Sequence, residues 1–416
     1  MTSALEFCTS QKNAKRLIFL CWLAYTIAYI GRLNFSACLV EIVSSLHTTR
    51  AAAGMISSCF FFAYGGGQIV NGILSKRYNP RFAVALALLA SAGLNLAMPI
   101  SGHIGAIKAI WLANGLAQSV LWSTLIHTLS RCLPGALLKR AVLVMSTTVA
   151  VGTAAAYGMS ALCVSLGAWQ WAFYAAAIGL SAVAVVWFRG FSSAENGCAA
   201  EKNHEDAERA APAAPKRSLR RTLLAELCVL LLLAVFTNFI KDGLTTWTPN
   251  ILYELYDFPK AASIVMTLAL PLLAVSGAFF AVRINRRLAN HVSLCGAFFA
   301  AALISTASLL ACLRFGVWAT TLCGFAVTVC AVSAVNNVLT SMVPFARRDV
   351  ADSGLLAGLI NAFCYVGSTL SSVVLGSLAD SRGWNGVFRL LFAMTGLAVA
   401  VCLVFALLRR RFGQNG

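Results

Sequence analysis

The sequence predicts an all-α membrane protein in which twelve transmembrane helices form two bundles of six. Of the 416 residues, 59% are hydrophobic and only 11% are charged, whereas an ordinary soluble domain has roughly 45–50% and about 25%. The charged residues also separate uncharged runs long enough to cross a hydrocarbon core of about 30 Å. These two observations argue against a soluble globular protein and predict a polytopic one.

Twelve apolar runs are expected to span the membrane. Their approximate ranges are 17–41, 51–74, 82–101, 104–130, 141–166, 168–188, 222–252, 261–282, 292–312, 315–343, 350–378 and 385–408. The first run is too long for a cleavable signal peptide and lacks a small-residue cleavage site. We therefore expect it to remain as the first helix.

Positive charge gathers in alternate loops. Of the 32 Lys and Arg residues, 24 lie at the two termini and in the even-numbered loops, against six in the odd-numbered loops. The positive-inside rule then predicts that both termini are cytoplasmic, in a cell (inner) membrane. The net charge of +18 is dispersed over short loops, so it does not indicate nucleic-acid binding.

One long polar segment divides the chain. Residues 190–221 are rich in Ala, Glu, Lys, Arg and Pro, a composition typical of a solvated cytoplasmic linker. It separates an N-terminal six-helix bundle at 1–189 from a C-terminal one at 222–416. Two related bundles are typical of secondary transporters.

One cation is predicted deep inside the first helix of each half. Arg32 and Lys241 would each cost at least about 2.5–3.5 kcal/mol at membrane depth, so each should face a partner or a wet pathway. Arg32 has no carboxylate within one helical turn, and Asp242 is the acid at comparable depth. Arg32 is thus predicted to bind substrate, the alternative being a distant ion pair. Lys241 is either a second substrate ligand or one half of a structural or gating pair with Asp242.

Tyrosines accompany the first cation. Tyr25 and Tyr29 lie seven and three residues before Arg32, which places them on its helical face. Phenolic hydroxyls beside a guanidinium suit an oxyanion, and the guanidinium binds phosphate or carboxylate with two hydrogen bonds. His127 is a candidate for protonation during transport, or a local hydrogen-bonding group.

The sequence offers no support for enzyme chemistry. It has no GxxxxGK[ST] phosphate loop, no HExxH and no CxxC pair, so neither nucleotide hydrolysis nor a metal centre is indicated. We expect no cofactor and no metal. Energy for transport would then come from solute gradients.

Five segments resemble those of the major facilitator superfamily, and within it the organophosphate:phosphate antiporters of glycerol-3-phosphate and hexose phosphates. They are YTIAYIGRLNFS at 25–36, FAYGGGQIVNGILSKRYNPR at 62–81, NGLAQSVLW at 114–122, KDGLTTWTPNIL at 241–252, and GLLAGLINAFCYVGS with LADSRGWNGVF at 354–388. The resemblance covers nearly the whole chain. It implies the major facilitator fold and an exchange of substrate for inorganic phosphate.

The resemblance also assigns residues. In this family an arginine on the first helix and one on the seventh bind the substrate phosphate, so Arg32 takes the first role and Lys241 the second, without the bidentate fork. Tyr64 and Gln68 become candidate orienting groups on the second helix. Candidate gating or coupling residues are Asp242, His127, Lys76, Arg77, Arg81 and Asp380. The lysine that the family has near Gln68 is absent, so a less charged anion or weaker phosphate binding is expected.

The sequence thus predicts a monomeric secondary active transporter of a small organic anion, exchanged for inorganic phosphate by alternating access in the lipid bilayer. Two alternatives stay open. One is a proton-coupled symporter for a carboxylate or sugar, with Asp242 or His127 carrying the proton. The other is a membrane sensor of a phosphorylated metabolite that does not transport.

Overall fold

The computed structural model describes residues 11–133, 135–191, 221–285, 290–312, 316–346 and 353–413, and these residues are nearly all helical. Most of the predicted linker, residues 192–220, lies outside them. The long helices are α1 (Gln11–Ala37), α2 (Arg50–Leu74), α3 (Pro80–Ile100), α4 (Ile104–Cys132), α5 (Gly135–Ser165), α6 (Gln170–Gly190), α7 (Arg221–Tyr256), α8 (Lys260–Asn285), α9 (His291–Cys312), α10 (Trp318–Met342), α11 (353–382) and α12 (384–413).

Eleven of the described helices are long and apolar enough to cross a membrane, and the last comprises two. Its 53-residue apolar stretch would measure about 80 Å at 1.5 Å per residue, far more than one crossing needs. Gly383, with φ 64° and ψ −176°, breaks the helix there because such a conformation strains any side chain. The prediction of an all-α protein with helices of membrane-spanning character is confirmed.

Shorter elements join or interrupt these helices. Leu39–Ser45 forms a short helix after α1, and Ser75–Arg77 forms one 3₁₀ turn between α2 and α3. Leu268 separates two helical pieces of α8, while Val338–Met342 ends α10 as a π-helical turn. Asn79 caps the start of α3 by accepting a hydrogen bond from the Arg81 amide, which satisfies a donor that the helix leaves unpaired.

The two halves repeat one packing scheme. In the N-terminal half α1 packs on α5, α2 on α4, and α3 on both α4 and α6. The C-terminal half repeats this with α7 on α11, α8 on α10, and α9 on both α10 and α12. Such equivalence indicates two structurally related six-helix bundles, as in transporters built from repeats.

The bundles contact each other along two helix pairs, α2 with α11 and α5 with α8. Along α2 the contact runs from Arg50, which bonds Asp380, to Gly65, where a Cβ would lie 2.6 Å from Tyr365. On the same helical faces but further along, a Cβ on Gly72 or Gly358 would meet nothing within 4 Å. The pair therefore closes at one end and separates at the other.

We call the face at which α1 begins and α12 ends the termini face, and the other the opposite face. The closed end of the α2–α11 pair belongs to the opposite face. The α5–α8 pair behaves alike, since Lys260–Thr267 packs closely on α5 and the rest of α8 much less. The bundles thus meet at the opposite face and diverge toward the termini face.

Candidate functional site

Arg32 lies on α1 between the bundles, with 6% of its surface exposed. Four aromatic rings surround its guanidinium carbon. The distances to the ring centroids are 5.9 Å for Tyr25, 4.6 Å for Tyr29, 5.6 Å for Phe60 and 4.4 Å for Tyr64. The negative faces of such rings attract a cation, so they hold the charge without neutralising it.

Hydrogen bonds fix one edge of this guanidinium. Nε of Arg32 donates to Oε1 of Gln118 at 3.1 Å. Gln118 in turn donates to Ser91 at 2.9 Å, and Ser91 donates to Asn114 at 2.7 Å. All three supporting side chains are fully buried. The amide network behind α1 therefore orients Arg32 rigidly.

The other edge is free. Nη2 of Arg32 is buried and has no hydrogen-bond partner in the part of the chain that the structure describes. No carboxylate among the described residues forms an ion pair with this side chain. A buried charge left unpaired is costly, and an unsatisfied donor adds to that cost. The arrangement can bind an anion that supplies both the charge and the acceptors.

The second predicted cation is paired within its own helix. Nζ of Lys241 lies 3.4 Å from Oδ1 of Asp242, and Ser368 on α11 donates to Oδ2 of Asp242 at 2.5 Å. The Asp242 carboxylate therefore faces Lys241 and α11 rather than Arg32. Both charged side chains remain about one fifth exposed. Ser368 lies three residues beyond Tyr365, whose ring packs on Tyr64 beside Arg32, so the two cations lie in one region.

A chain of hydrogen bonds joins the two bundles beside Arg32. The hydroxyls of Tyr25 and Tyr64 lie 3.2 Å apart, and Gln68 donates to the Tyr64 hydroxyl at 2.9 Å. Asn361 on α11 donates to Oε1 of Gln68. Tyr365, one turn further along α11, packs on Tyr64 with ring centroids 4.8 Å apart. The structure thus brings all six predicted substrate-binding residues into one region.

The candidate gating residues do not share one place. Asp380 lies at the opposite face, where it accepts from the Arg50 side chain at 3.1 Å. Arg77 is exposed at the termini face; Lys76 is its neighbour, and its side chain lies outside the described residues. Arg81 donates to the carbonyl of Phe188 at 3.0 Å.

His127 stands apart from the Arg32 cage. It lies nine residues beyond Gln118 on α4, about 14 Å along the helix toward the termini face at 1.5 Å per residue. The side chain is half-buried and makes an interaction there. This position separates it from Lys241 and Asp242.

The opposite face holds ion pairs that the sequence did not single out. Arg50, at the start of α2, contacts Glu254 at the end of α7 with an N–O distance of 2.5 Å. Lys260, at the start of α8, contacts Glu41 in the short helix after α1 at 3.0 Å. Each cation begins the second helix of one half and meets an acid of the other half, either at the end of its first helix or in the short helix that follows. The rarity of cations in odd-numbered loops could have drawn attention to both.

Other residues of the site were not assigned a role from the sequence. Phe60 and Tyr365 look like ordinary core aromatics in the sequence. Gln118 and Asn361 are amides among many in apolar helices, although Asn114 and Gln118 are four residues apart, a spacing that places them on one face of α4. No metal-binding cluster of His, Cys, Asp and Glu occurs in the described part of the chain.

Comparisons with known proteins identify the family and agree with the fold. The sequence profile of the Major Facilitator Superfamily matches residues 21–351. The membrane sensor protein UhpC of Escherichia coli is 29% identical over 119 residues, which are 28% of this chain and 27% of that protein. The chain thus spans only about a quarter of the length of such sensor relatives.

A longer match exists. The phosphoglycerate transporter protein of Salmonella typhimurium is 25% identical over 422 residues, covering 95% of this chain and 88% of that protein. Among solved structures, a bacterial homologue of the human lysosomal transporter Spinster, in an inward-facing and occupied conformation, superposes with a TM-score of 0.76. It is 13% identical and covers 97% of this chain and 98% of its own, a likeness of fold alone.

The predicted resemblance, fold class and absence of enzyme function are therefore confirmed. The helices, their repeated packing and the profile match over most of the length all agree. The relatives include a transporter of a phosphorylated compound. The chain is a multi-pass membrane protein that belongs to the Major Facilitator Superfamily.

Proposed function

We propose that the protein is a secondary active transporter that exchanges a small organophosphate for inorganic phosphate by alternating access. One observation carries the proposal: Arg32 is buried between the two bundles with one nitrogen unbonded, and no carboxylate among the described residues is paired to it. A stranded guanidinium of this kind is a site for an anion. The full-length similarity to a phosphoglycerate transporter supports a phosphorylated substrate.

The shape of the molecule supports alternating access. The bundles close at the opposite face through the ion pairs of Arg50 and Lys260, and they separate toward the termini face. With both termini in the cytoplasm of a cell with an inner membrane, this is an inward-facing arrangement. We propose that a monomer carries out the exchange.

Exchange follows from the charge of the empty site. Moving an uncompensated cation through the closed, low-dielectric state is costly. An anion bound to Arg32 removes that cost, so the loaded protein reorients and the empty one resists. Lys241 contributes a second donor, and the hydroxyls of Tyr25, Tyr29 and Tyr64 with the Gln68 amide orient the head group.

Counterflow in proteoliposomes tests this proposal. Vesicles loaded with inorganic phosphate are offered labelled glycerol-3-phosphate, glucose-6-phosphate or 3-phosphoglycerate. Uptake of the label, driven by the outward phosphate gradient, is measured. We expect exchange of at least one of them, its loss in Arg32→Ala, and its retention in Lys241→Arg. Arg140→Ala, which removes an exposed cation, is the matched control. Native-level exchange by Arg32→Ala would contradict the role of Arg32.

A second candidate function has its own support. The UhpC match favours a membrane sensor that uses the same pocket without transport. Specific binding of a phosphate ester to the purified protein, together with no uptake and no exchange in vesicles, would favour the sensor.

Proton entry driven by a carboxylate or sugar, with no counter-flow of phosphate, would favour a symporter in which Asp242 or His127 takes the proton.

A further inference from the structure

The site contains two cations but carries a net charge of less than two. Arg32 has no acidic partner in the described structure, whereas Lys241 is paired with Asp242 at 3.4 Å. Ser368 holds the Asp242 carboxylate from α11 with a hydrogen bond of 2.5 Å. Taken together, the three charged side chains carry one net positive charge.

Protein groups already engage part of the guanidinium. Gln118 occupies Nε, and the rings of Tyr29 and Tyr64 lie 4.6 and 4.4 Å from the central carbon. The unbonded Nη2 belongs to the edge that remains. An oxyanion head group at that edge leaves its water behind, since Arg32 is almost fully buried.

In such a site the charge of the ligand decides its affinity. A singly charged head group cancels the single positive charge, whereas a doubly charged one leaves a net negative charge among aromatic side chains. An uncompensated charge in a poorly solvated place is costly. The Lys241–Asp242 pair keeps the net charge of the site at one positive charge. Without Asp242, Lys241 would compensate the second negative charge of such a ligand.

We infer that the site selects singly charged oxyanions and that Asp242 sets this selectivity by neutralising Lys241. The inference rests on the proposed anion transport and names the charge class of its substrates. Sulfate esters and sulfonates carry one charge at any physiological pH. Phosphate monoesters carry one charge only below their second pKa of about 6, so the protein takes them in the protonated form.

The groups that face the two cations do not account for a pH effect by themselves. Around Arg32 they are Tyr25, Tyr29, Tyr64 and Tyr365, and around Lys241 and Asp242 they are Tyr29, Tyr157, Cys364 and Ser368. Phenols and thiols ordinarily titrate above pH 8. Asp242 is the one carboxylate among these groups, and the two ligand pairs separate a pH dependence of the protein from that of the ligand.

The experiment measures binding to the purified native protein by isothermal calorimetry between pH 6 and pH 8. The probes are two matched pairs, glycerol-3-phosphate with glycerol-3-sulfate and glucose-6-phosphate with glucose-6-sulfate. The affinity for the better phosphate ester should fall about 50-fold across this range, following its singly charged fraction. The affinity for the matching sulfate ester should stay constant.

A variant tests the part played by Asp242. Asp242→Asn keeps an acceptor for Ser368 and releases the charge of Lys241. Its affinity for the phosphate ester at pH 8 should rise roughly tenfold, the effect of one unit charge at about 10 Å in a medium of intermediate dielectric constant. The control Asp257→Asn removes an exposed carboxylate at a position with φ 53°, a conformation that Asn tolerates, and should bind like the native protein.

Each result has a distinct meaning. Equal pH dependence for the phosphate and sulfate esters would assign the effect to the protein rather than to the ligand and overturn the inference, as would tighter binding of the phosphate ester at pH 8. Unchanged selectivity in Asp242→Asn would overturn the role of that residue. If none of the four probes binds, the proposed transport of organophosphates fails, and the inference fails with it.

Discussion

At the scale of single residues, the site depends on how Gln118 holds Arg32. The amide oxygen lies 3.1 Å from Nε and carries no charge. It therefore orients the guanidinium and leaves its positive charge available. A carboxylate at the same place would orient it equally well and cancel that charge.

The substitution Gln118→Glu tests the difference between an amide and a carboxylate beside Arg32. The new carboxylate would pair with Arg32, and an incoming anion would have to compete with a buried ion pair. Anion affinity should fall roughly 100-fold or more, while thermal unfolding of the protein occurs at an unchanged or higher temperature. Calorimetric titration and a thermal melt measure both effects.

Gln118→Met is the matched control. It has a similar volume and no charge, so it loses the hydrogen bonds to Arg32 and Ser91, about 1–3 kcal/mol each, and leaves Arg32 cationic. Its affinity should lie between those of the native protein and of Gln118→Glu. Native affinity in Gln118→Glu would show that the anion binds elsewhere.

At the scale of secondary structure, closure depends on how near α2 and α11 approach each other. A Cβ on Gly54 would lie 2.1 Å from the carbonyl oxygen of Ser372, and one on Gly376 would lie 2.6 Å from the carbonyl oxygen of Arg50. Backbone atoms cannot move aside as a flexible side chain can. Glycine is therefore required at these positions for the bundles to meet.

Gly54→Ala should push the bundles apart at the opposite face. Hydrogen–deuterium exchange should become several-fold faster in residues 41–54 and 371–384, because the closed state loses population to the open one. Gly72→Ala, on the same helix where a Cβ meets nothing within 4 Å, should leave exchange unchanged. Equal exchange in both variants would mean that the glycine contact does not control closure.

At the scale of the whole molecule, two related ion pairs join the halves at the opposite face. The pairs are Arg50 with Glu254 and Lys260 with Glu41, and their side chains are 23–29% exposed. Trp384 adds a hydrogen bond of 2.8 Å to Glu254. Partly exposed pairs contribute about 0.2–1 kcal/mol each, enough to shift an equilibrium between two conformations without fixing it.

Charge reversal tests the simpler pair. Lys260→Glu should place two acids together and favour opening of the opposite face, seen as faster deuterium exchange in residues 41–54. The effect should be about tenfold or less. Adding Glu41→Lys restores opposite charges and should return exchange to the native rate. If the double variant opens as much as the single one, the pair does not act as a latch.

The sequence by itself determined the features that depend on hydropathy and local spacing. Long apolar runs and alternating loop charge predicted the helices, and the spacing of Tyr25, Tyr29 and Arg32 placed three site residues on one face of α1. These inferences succeed because a membrane requires long apolar helices, and because neighbours on one helix are fixed by its 3.6-residue period.

Only the tertiary structure decided which groups meet from different helices. It brought Phe60 and Gln118 to Arg32, paired Asp242 with Lys241 instead of Arg32, and joined Arg50 to Glu254 across the two halves. Hydropathy does not encode these contacts, because they depend on the rotation of each helix and on the register between helices. Those are set by side-chain packing over the whole bundle.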